Sequence, residues 1–312
     1  MLQEVREKLL EWYEKQGRHD LPWRNTDDIY HIYLSEIMLQ QTQVSRVKEE
    51  YYPRFLDRFT SLKALAQAPE NEVLSLWSGL GYYSRARNLH KTAKLSQNGL
   101  PSSQKELEKL PGIGRYTASA ICSFGYRQSV SVVDTNIARV IKRFFALKDV
   151  SDKEIWQKAE ALLNQQAPRE HNLALMDLGA MVCVPKNPNC KVCPLSFSCQ
   201  GKSEPELYTQ TKKTEYESLD LFYGLLLKDD KVALKTSNGP MYKNMLELPS
   251  VDPIEANFIG SFKHAYTKYR LTVHLYEIEE HNDALEWYEL SSIENAPISS
   301  LTKKALKLHL HR

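Results

Sequence analysis

Four of the five cysteines in this 312-residue chain fall within one short stretch, CVPKNPNCKVCPLSFSC, at Cys183, Cys190, Cys193 and Cys199. So many thiols in so little chain cannot all point into a core from one helix or strand. In a reducing compartment, closely spaced thiols are more often metal ligands than disulfides, because the metal holds the thiolates. Zinc and a [4Fe-4S] cluster both suit four thiolates. The spacing of six, two and five intervening residues lacks the paired CxxC knuckles of a zinc ribbon. Zinc, a cluster and free buried thiols all remain open on these residues alone. The fifth cysteine, Cys122, lies in the apolar segment TASAICSF and reads as an ordinary core residue.

Before the cysteine loop the pattern is helical. Apolar residues recur three and four apart in 2–13, 30–40, 45–56, 62–67, 71–77, 84–95, 104–110, 115–124, 134–146, 153–164 and 170–182. A polar stretch, KSEPELYTQTKKTEYES, reads as a linker. Beyond it, LDLFYGLLLKD, KVALKT, SFKHAYTKYRLTVHLYEIEE and EWYEL look like strands, with turn signals at Asp229-Asp230 and Asn238-Gly239-Pro240. The tail TKKALKLHLHR closes the chain as a helix. The expected layout is a mainly α domain over 1–202, a linker over 203–218 and a smaller α+β domain over 219–312. No apolar run approaches the roughly eighteen residues needed to span a bilayer. The first residues, MLQEVREKLLEWYEKQG, carry Glu4, Glu7, Glu11 and Glu14 and so do not resemble a secretory leader. A cytoplasmic protein with no membrane partner is expected.

The formal net charge of +2 hides an asymmetry. Up to Lys202 there are 28 Lys and Arg against 22 Asp and Glu; beyond it there are 13 against 17. Residues 73–105 hold Arg85, Arg87, Lys91, Lys94 and Lys105 and no acid. Such a block either tracks phosphates or is a solvated helix face.

The segment KELEKLPGIGRYTASAICSF reads as helix, tight turn, helix. Gly112 and Gly114 allow a turn whose backbone N–H groups can reach a phosphate. Alone, this means nucleic-acid binding and not chemistry. Further on, SVVDTNIARV sets Asp134 at a helix entrance, where a structural N-cap is the plain alternative. Arg127, Arg139, Lys142, Arg143 and Lys148 surround it in sequence with positive charge. In YHIYLSEIMLQQTQV, Glu36 has Ile32, Tyr33, Leu39 and Gln40 as helical neighbours. There it is either a surface residue or a carboxyl whose raised pKa suits it to act as an acid.

Taken together, LPWR (21–24), SEIMLQQTQV (35–44), WSGLGYYSRARNLH (77–90), LPGIGRYTASAI (110–121), MDLGAMVC (176–183) and the cysteine spacing resemble the MutY-type adenine DNA glycosylases, within the helix–hairpin–helix superfamily that includes endonuclease III. The resemblance covers most of residues 8–200. It implies a helix–hairpin–helix glycosylase fold with a [4Fe-4S] loop on Cys183, Cys190, Cys193 and Cys199. It also implies a Nudix-like lesion-recognition domain over 219–312. Endonuclease III has a lysine where this chain has Tyr116, and a phenol cannot form that enzyme's Schiff base. A monofunctional glycosylase is therefore expected.

By this resemblance Glu36 protonates N7 of a flipped adenine, Asp134 stabilises the cationic sugar or traps it covalently, and Tyr116 and Asn136 support them. Arg24 lies near the base, and Gln41 and Tyr82 form the intercalating pair. For Tyr82 a core aromatic at helical spacing is the alternative. Gly112 and Gly114 hold the backbone of double-stranded DNA containing adenine opposite 8-oxoguanine or guanine. A monomeric, nucleoid-associated repair enzyme is expected. Lys186 and Lys191, between the cysteines, favour a structural and DNA-positioning loop over a redox one.

Two places depart from the family. Leu173 stands where relatives have a Gln or Glu that contacts adenine. Tyr266, Thr267 and Lys268 stand where relatives read 8-oxoguanine through Phe-Ser-His. Thr267 keeps a hydroxyl for that contact, and a plain strand-edge turn is its alternative. The Nudix hydrolase signature is missing. Three rival readings follow: a bifunctional lyase, opposed by Tyr116; a silent damage sensor, opposed by Glu36 with Asp134; and a zinc-stabilised DNA-binding module.

Overall fold

Apolar residues spaced three and four apart give each helix one stripe, and burying those stripes against one another builds the amino-terminal core. The computed structural model describes residues 2–209, 215–239, 241–252 and 257–310. The helices are α1 (Leu2–Gln16), α2 (Ile29–Leu39), α3 (Val44–Arg46), α4 (Tyr52–Arg58), α5 (Leu62–Gln67), α6 (Glu70–Trp77), α7 (Ser84–Leu95), α8 (Gln104–Leu107), α9 (Arg115–Ala120), α10 (Thr135–Phe144), α11 (Asp152–Leu162) and α12 (Pro168–Met181). A π turn over Val47–Tyr51 joins α3 to α4, and another over Ile121–Gly125 extends α9. Each expected helical window contains a helix. Among the described residues, no helix is long and apolar enough to cross a membrane.

The chain divides into two compact units. The first comprises Met1–Leu56, Ser61–Lys63 and Thr92–Thr211; the second comprises Asp57–Thr60, Ala64–Lys91 and Lys212–Arg312. In the first, Val5 and Leu9 of α1, Ile137 and Ile141 of α10, and Ala174 and Leu178 of α12 share one dry cluster. The helix α12 packs on both α1 and α10. Gly179 makes the second contact close, because a Cβ there would stand 2.7 Å from Cβ of Asn136 and 2.8 Å from its carbonyl oxygen.

The second unit holds the strands β1 (Glu217–Leu225), β2 (Leu227–Lys228), β3 (Lys231–Thr236), β4 (Leu246–Glu247), β5 (Phe258–Tyr266), β6 (Tyr269–Glu277) and β7 (Glu286–Glu289), then α13 (Ser300–Leu310). One sheet has the order β1-β6-β5, with β1 parallel and β5 antiparallel to β6. In the other, β3 pairs with β2, β4 and β7. Asp229 and Asp230 form the two-residue turn from β2 to β3 with φ of 48° and 58°, the left-handed pair that a type I′ hairpin requires. Residues 64–91 group here because Ser78 Oγ donates to the Ile298 carbonyl (2.8 Å) and Arg87 donates to that of Lys243 (2.7 Å). Within the expected linker, Pro205–Tyr208 forms a 3-10 turn, and 210–214 lie outside the described residues. Pro240 of the second turn signal and the last two residues of the expected tail helix, 311–312, lie outside them as well.

Candidate active site

Every residue of α2 from Tyr30 to Met38 except His31 is buried, so this helix carries Glu36 into the interior among its apolar neighbours. Glu36 is only 6 % exposed, which rules out the surface reading. Its carboxyl meets the side chain of Tyr116 on α9, whose hydroxyl donates to Oε2 over 2.7 Å. Burial drives the Glu36 pKa up to about 7; the Tyr116 hydrogen bond and Arg24 oppose the rise, and Asp134 adds to it. Near neutral pH such a group can still hold a proton to give.

Asp134 is the N-cap of α10 and also lines the cavity that Glu36 borders. As N-cap of α10 its Oδ1 accepts from the Ile137 N–H (2.7 Å), and its Oδ2 accepts from the Asn136 side-chain amide (2.9 Å). Burial raises its pKa, while those two donors favour the anion. Glu36, Asp134, Tyr116 and Asn136 line one cavity of about 800 Å³, together with Arg24, Gln41, Trp23 and Leu173. That is a volume of the kind that takes a small ligand. At this wall Leu173 offers hydrocarbon.

Arg24 is buried, and its guanidinium makes a two-pronged contact with Asp177, NH1 to Oδ2 at 2.7 Å and NH2 to Oδ1 at 2.8 Å. Arg18 adds its backbone N–H and its Nε to the same carboxylate. Burial alone would raise the Asp177 pKa; the arginines outweigh it and hold the group below its ordinary range. Asp177 therefore fixes where Arg24 points.

In the hairpin ahead of α9, Gly112 takes φ of 75°, so glycine is required there. Gly114 has an ordinary extended backbone and caps α9 without a side chain; its value is open space, since a Cβ would meet nothing within 4 Å. Gln41 and Tyr82 both adopt left-handed backbones, with φ of 56° and 49°. Non-glycine residues are seldom found there. Tyr82 is 37 % exposed and lies between α6 and α7, so it is neither a core residue nor helical. Thr267 occupies the two-residue turn from β5 to β6 at φ of 49°, a strained place for a β-branched residue. Lys268 beside it pairs with Glu217.

The four clustered cysteines line one small pocket with Arg143, Pro188, Gly201 and Lys202. Among the described residues, no three His, Cys, Asp or Glu side chains converge tightly enough for a single metal ion. Backbone N–H groups of Leu195 and Gly201 face the sulfurs of Cys193 and Cys199, and Arg143 NH1 lies 3.3 Å from Cys183 Sγ. Four soft donors bordering one pocket, with N–H groups or a cation turned toward three of them, have the chemistry to hold an iron–sulfur group.

A family model described as HhH-GPD superfamily base excision DNA repair protein matches residues 34–165. The adenine DNA glycosylase of Buchnera aphidicola subsp. Baizongia pistaciae is 32% identical, covering 97% of this chain and 97% of the relative. The chain belongs to the adenine DNA glycosylase family. Another such glycosylase, from Buchnera aphidicola subsp. Schizaphis graminum, is 35% identical over 78% of this chain and 74% of the relative. Among solved structures, a thermostable thymine-DNA glycosylase superposes with a TM-score of 0.61 at 29% identity, over 65% of this chain and 97% of that one.

In this adenine DNA glycosylase, several residues that shape the site could not be ranked from sequence. Arg139 and Arg143 read only as part of a cationic neighbourhood around Asp134, and Arg143 is 2% exposed. It donates to the carbonyls of Val184 (2.8 Å), Pro185 (3.0 Å) and Pro205 (2.9 Å), tying α10 to the cysteine loop. Arg139 donates from Nε to the Cys183 carbonyl (2.7 Å) and from NH2 to Asn136 Oδ1 (2.8 Å) and the Gly179 carbonyl (2.7 Å). Their spacing of four on α10 was the only signal. Arg85, within the acid-free block, is also buried and is not part of a solvated face.

Proposed function

We propose that this DNA glycosylase removes adenine paired with 8-oxoguanine or guanine in duplex DNA, by flipping the base out and hydrolysing its N-glycosidic bond without cutting the strand. The observation that carries the proposal is the pairing of Glu36, pushed up to about 7, with Tyr116 and Asp134 in one cavity. Tyr116 donates to Oε2, so the proton of a neutral Glu36 sits on Oε1 and is free to pass to adenine N7. The pair of electrons in the C1′–N9 bond then leaves with the base. The cationic sugar faces the carboxylate of Asp134, held by Ile137 and Asn136. Water adds to C1′, and its proton passes to that carboxylate. The two acids divide the work as they do in glycoside hydrolysis. A phenol at 116 supplies no amine to open the sugar, which supports base removal without strand cleavage.

The remaining assignments belong to the same reading. Gln41 and Tyr82 enter the base stack; Gly112 and Gly114 grip a phosphate; Arg24 borders the base; and Thr267, in the Nudix-like 219–312, hydrogen-bonds the 8-oxoguanine. Cys183, Cys190, Cys193 and Cys199 hold a [4Fe-4S] cluster, which supplies cross-linking of the loop and no step of the reaction. The enzyme acts as a monomer at the nucleoid. Single-turnover assays on duplexes with adenine opposite 8-oxoguanine, guanine or thymine, with and without alkali, test the central claim. Adenine loss opposite the first two, with breaks only after alkali, is expected. No adenine loss, or breaks without alkali, overturns it. Iron and sulfide in matching amounts in purified protein test the cluster, and zinc in their place refutes it.

A further inference from the structure

The loop between α6 and α7 is held by contacts that the chemistry at Glu36 leaves unexplained. Gly79, Gly81 and Tyr82 all have left-handed backbones, with φ of 94°, 80° and 49°. Glycine tolerates this; a tyrosine persists there only where its surroundings fix it. They do so twice over. The Gly81 carbonyl accepts from Trp77 Nε1 at 3.1 Å and from Arg85 NH2 at 3.1 Å. The Arg85 guanidinium also lies 5.4 Å from the ring centres of both Trp77 and Tyr82. At these distances cation–ring attraction is favourable, the more so away from water. Arg85 is 8% exposed, and burial pushes its pKa down to about 10. Its cation is thus turned inward onto the loop, away from solvent phosphate. Tyr82, on the outer side of that cation, keeps 37% of its surface open.

We propose that Arg85 and Trp77 are positioning residues that clamp the Gly81 carbonyl and hold the Tyr82 ring presented to the duplex before DNA arrives. The wedge is then preformed and need not be assembled while the base leaves the stack. Pre-organisation of this kind lowers the ordering cost of the encounter. The inference rests on the reading of Tyr82 as an intercalating residue.

A double-mutant cycle in the full chain tests it, with single-turnover excision at saturating enzyme and duplex affinity measured separately. Tyr82→Ala should slow excision by about 5- to 100-fold, the range that loss of one stacking aromatic spans. Arg85→Met should reproduce most of that loss, and the double variant should be no slower than Tyr82→Ala alone. Trp77→Phe, which keeps a ring and removes only the N–H donor, should show a smaller loss that also vanishes in the Tyr82→Ala background; it covers the case in which Arg85→Met does not fold. Losses that multiply in the double variants, or wild-type excision by both Arg85→Met and Trp77→Phe, overturn the clamp while leaving the wedge standing. Wild-type excision by Tyr82→Ala removes the wedge reading itself and the clamp with it.

Discussion

The Tyr116 hydroxyl donates to Oε2 of Glu36 across 2.7 Å, joining α9 to α2 at the wall of the cavity. This bond ties the helix that follows the Gly112–Gly114 hairpin to the buried carboxyl of α2. It also moderates the rise that burial imposes on the Glu36 pKa.

Replacing Glu36 by Gln removes the proton and little volume. Excision should fall by about 100-fold or more while duplex binding persists. In the wild type, single-turnover excision should decline as pH rises above about 7, where Glu36 loses its proton. Stability moves the same way. The folded protein binds this proton more tightly than the unfolded chain, so between the ordinary glutamate value and about 7 stability falls as pH rises. Glu36→Gln escapes that penalty, which is on the order of 3 kcal/mol at most. Its melting temperature should therefore gain on the wild type more at pH 8 than at pH 5; an equal difference at both would deny Glu36 its raised pKa.

Tyr116→Phe removes a donor that favours the anion of Glu36. The Glu36 pKa should rise further, and the alkaline fall in single-turnover excision should shift to higher pH. A profile that stays in place would mean that another group sets the alkaline limit. A merely structural role for Tyr116 would lower the rate at every pH alike.

Much of this was legible from local pattern. The helices announced themselves because their stripes repeat within one element, and the Asp229-Asp230 hairpin because two left-handed residues in a row need such side chains. The Glu36–Tyr116 and Arg24–Asp177 pairs were not legible as contacts, since 80 and 153 residues separate the partners. The sequence pattern could rank Glu36 as a candidate, but only the burial of nearly all of α2 turns it into a neutral acid. The burial of Arg143 was not legible either. A cation beside Lys142 on a helix reads as surface, and the carbonyls that draw it inward lie on a loop about forty residues away.

Gly179→Ala puts a methyl group 2.7 Å from Cβ of Asn136, a separation that real side chains do not sustain. The neighbour is helix backbone and cannot swing aside. The start of α10 must shift, and with it the amide that holds Asp134 Oδ2. Overpacking of this sort costs about 1–3 kcal/mol. We expect a lower melting temperature together with a drop in kcat larger than the change in duplex affinity. Unchanged kcat in a destabilised protein would show that Asp134 does not depend on this contact.

His171, on α12, is fully buried, and neither ring nitrogen has a hydrogen-bond partner among the described residues. Burial pushes its pKa down to about 3, with Arg6 nearby adding to the fall, so the ring stays neutral while the unfolded chain takes up a proton near the ordinary histidine value. The unfolded state then binds more protons throughout the interval between these values, and stability drops as pH falls through it. An unpartnered buried polar group costs about 1–3 kcal/mol even when neutral. His171→Leu keeps a similar volume in a different shape and removes both penalties. It should melt higher than the wild type at pH 5 by a wider margin than at pH 8, with excision opposite 8-oxoguanine unchanged. A variant whose acid unfolding tracks the wild type would show that this ring finds a partner or titrates normally in the folded protein.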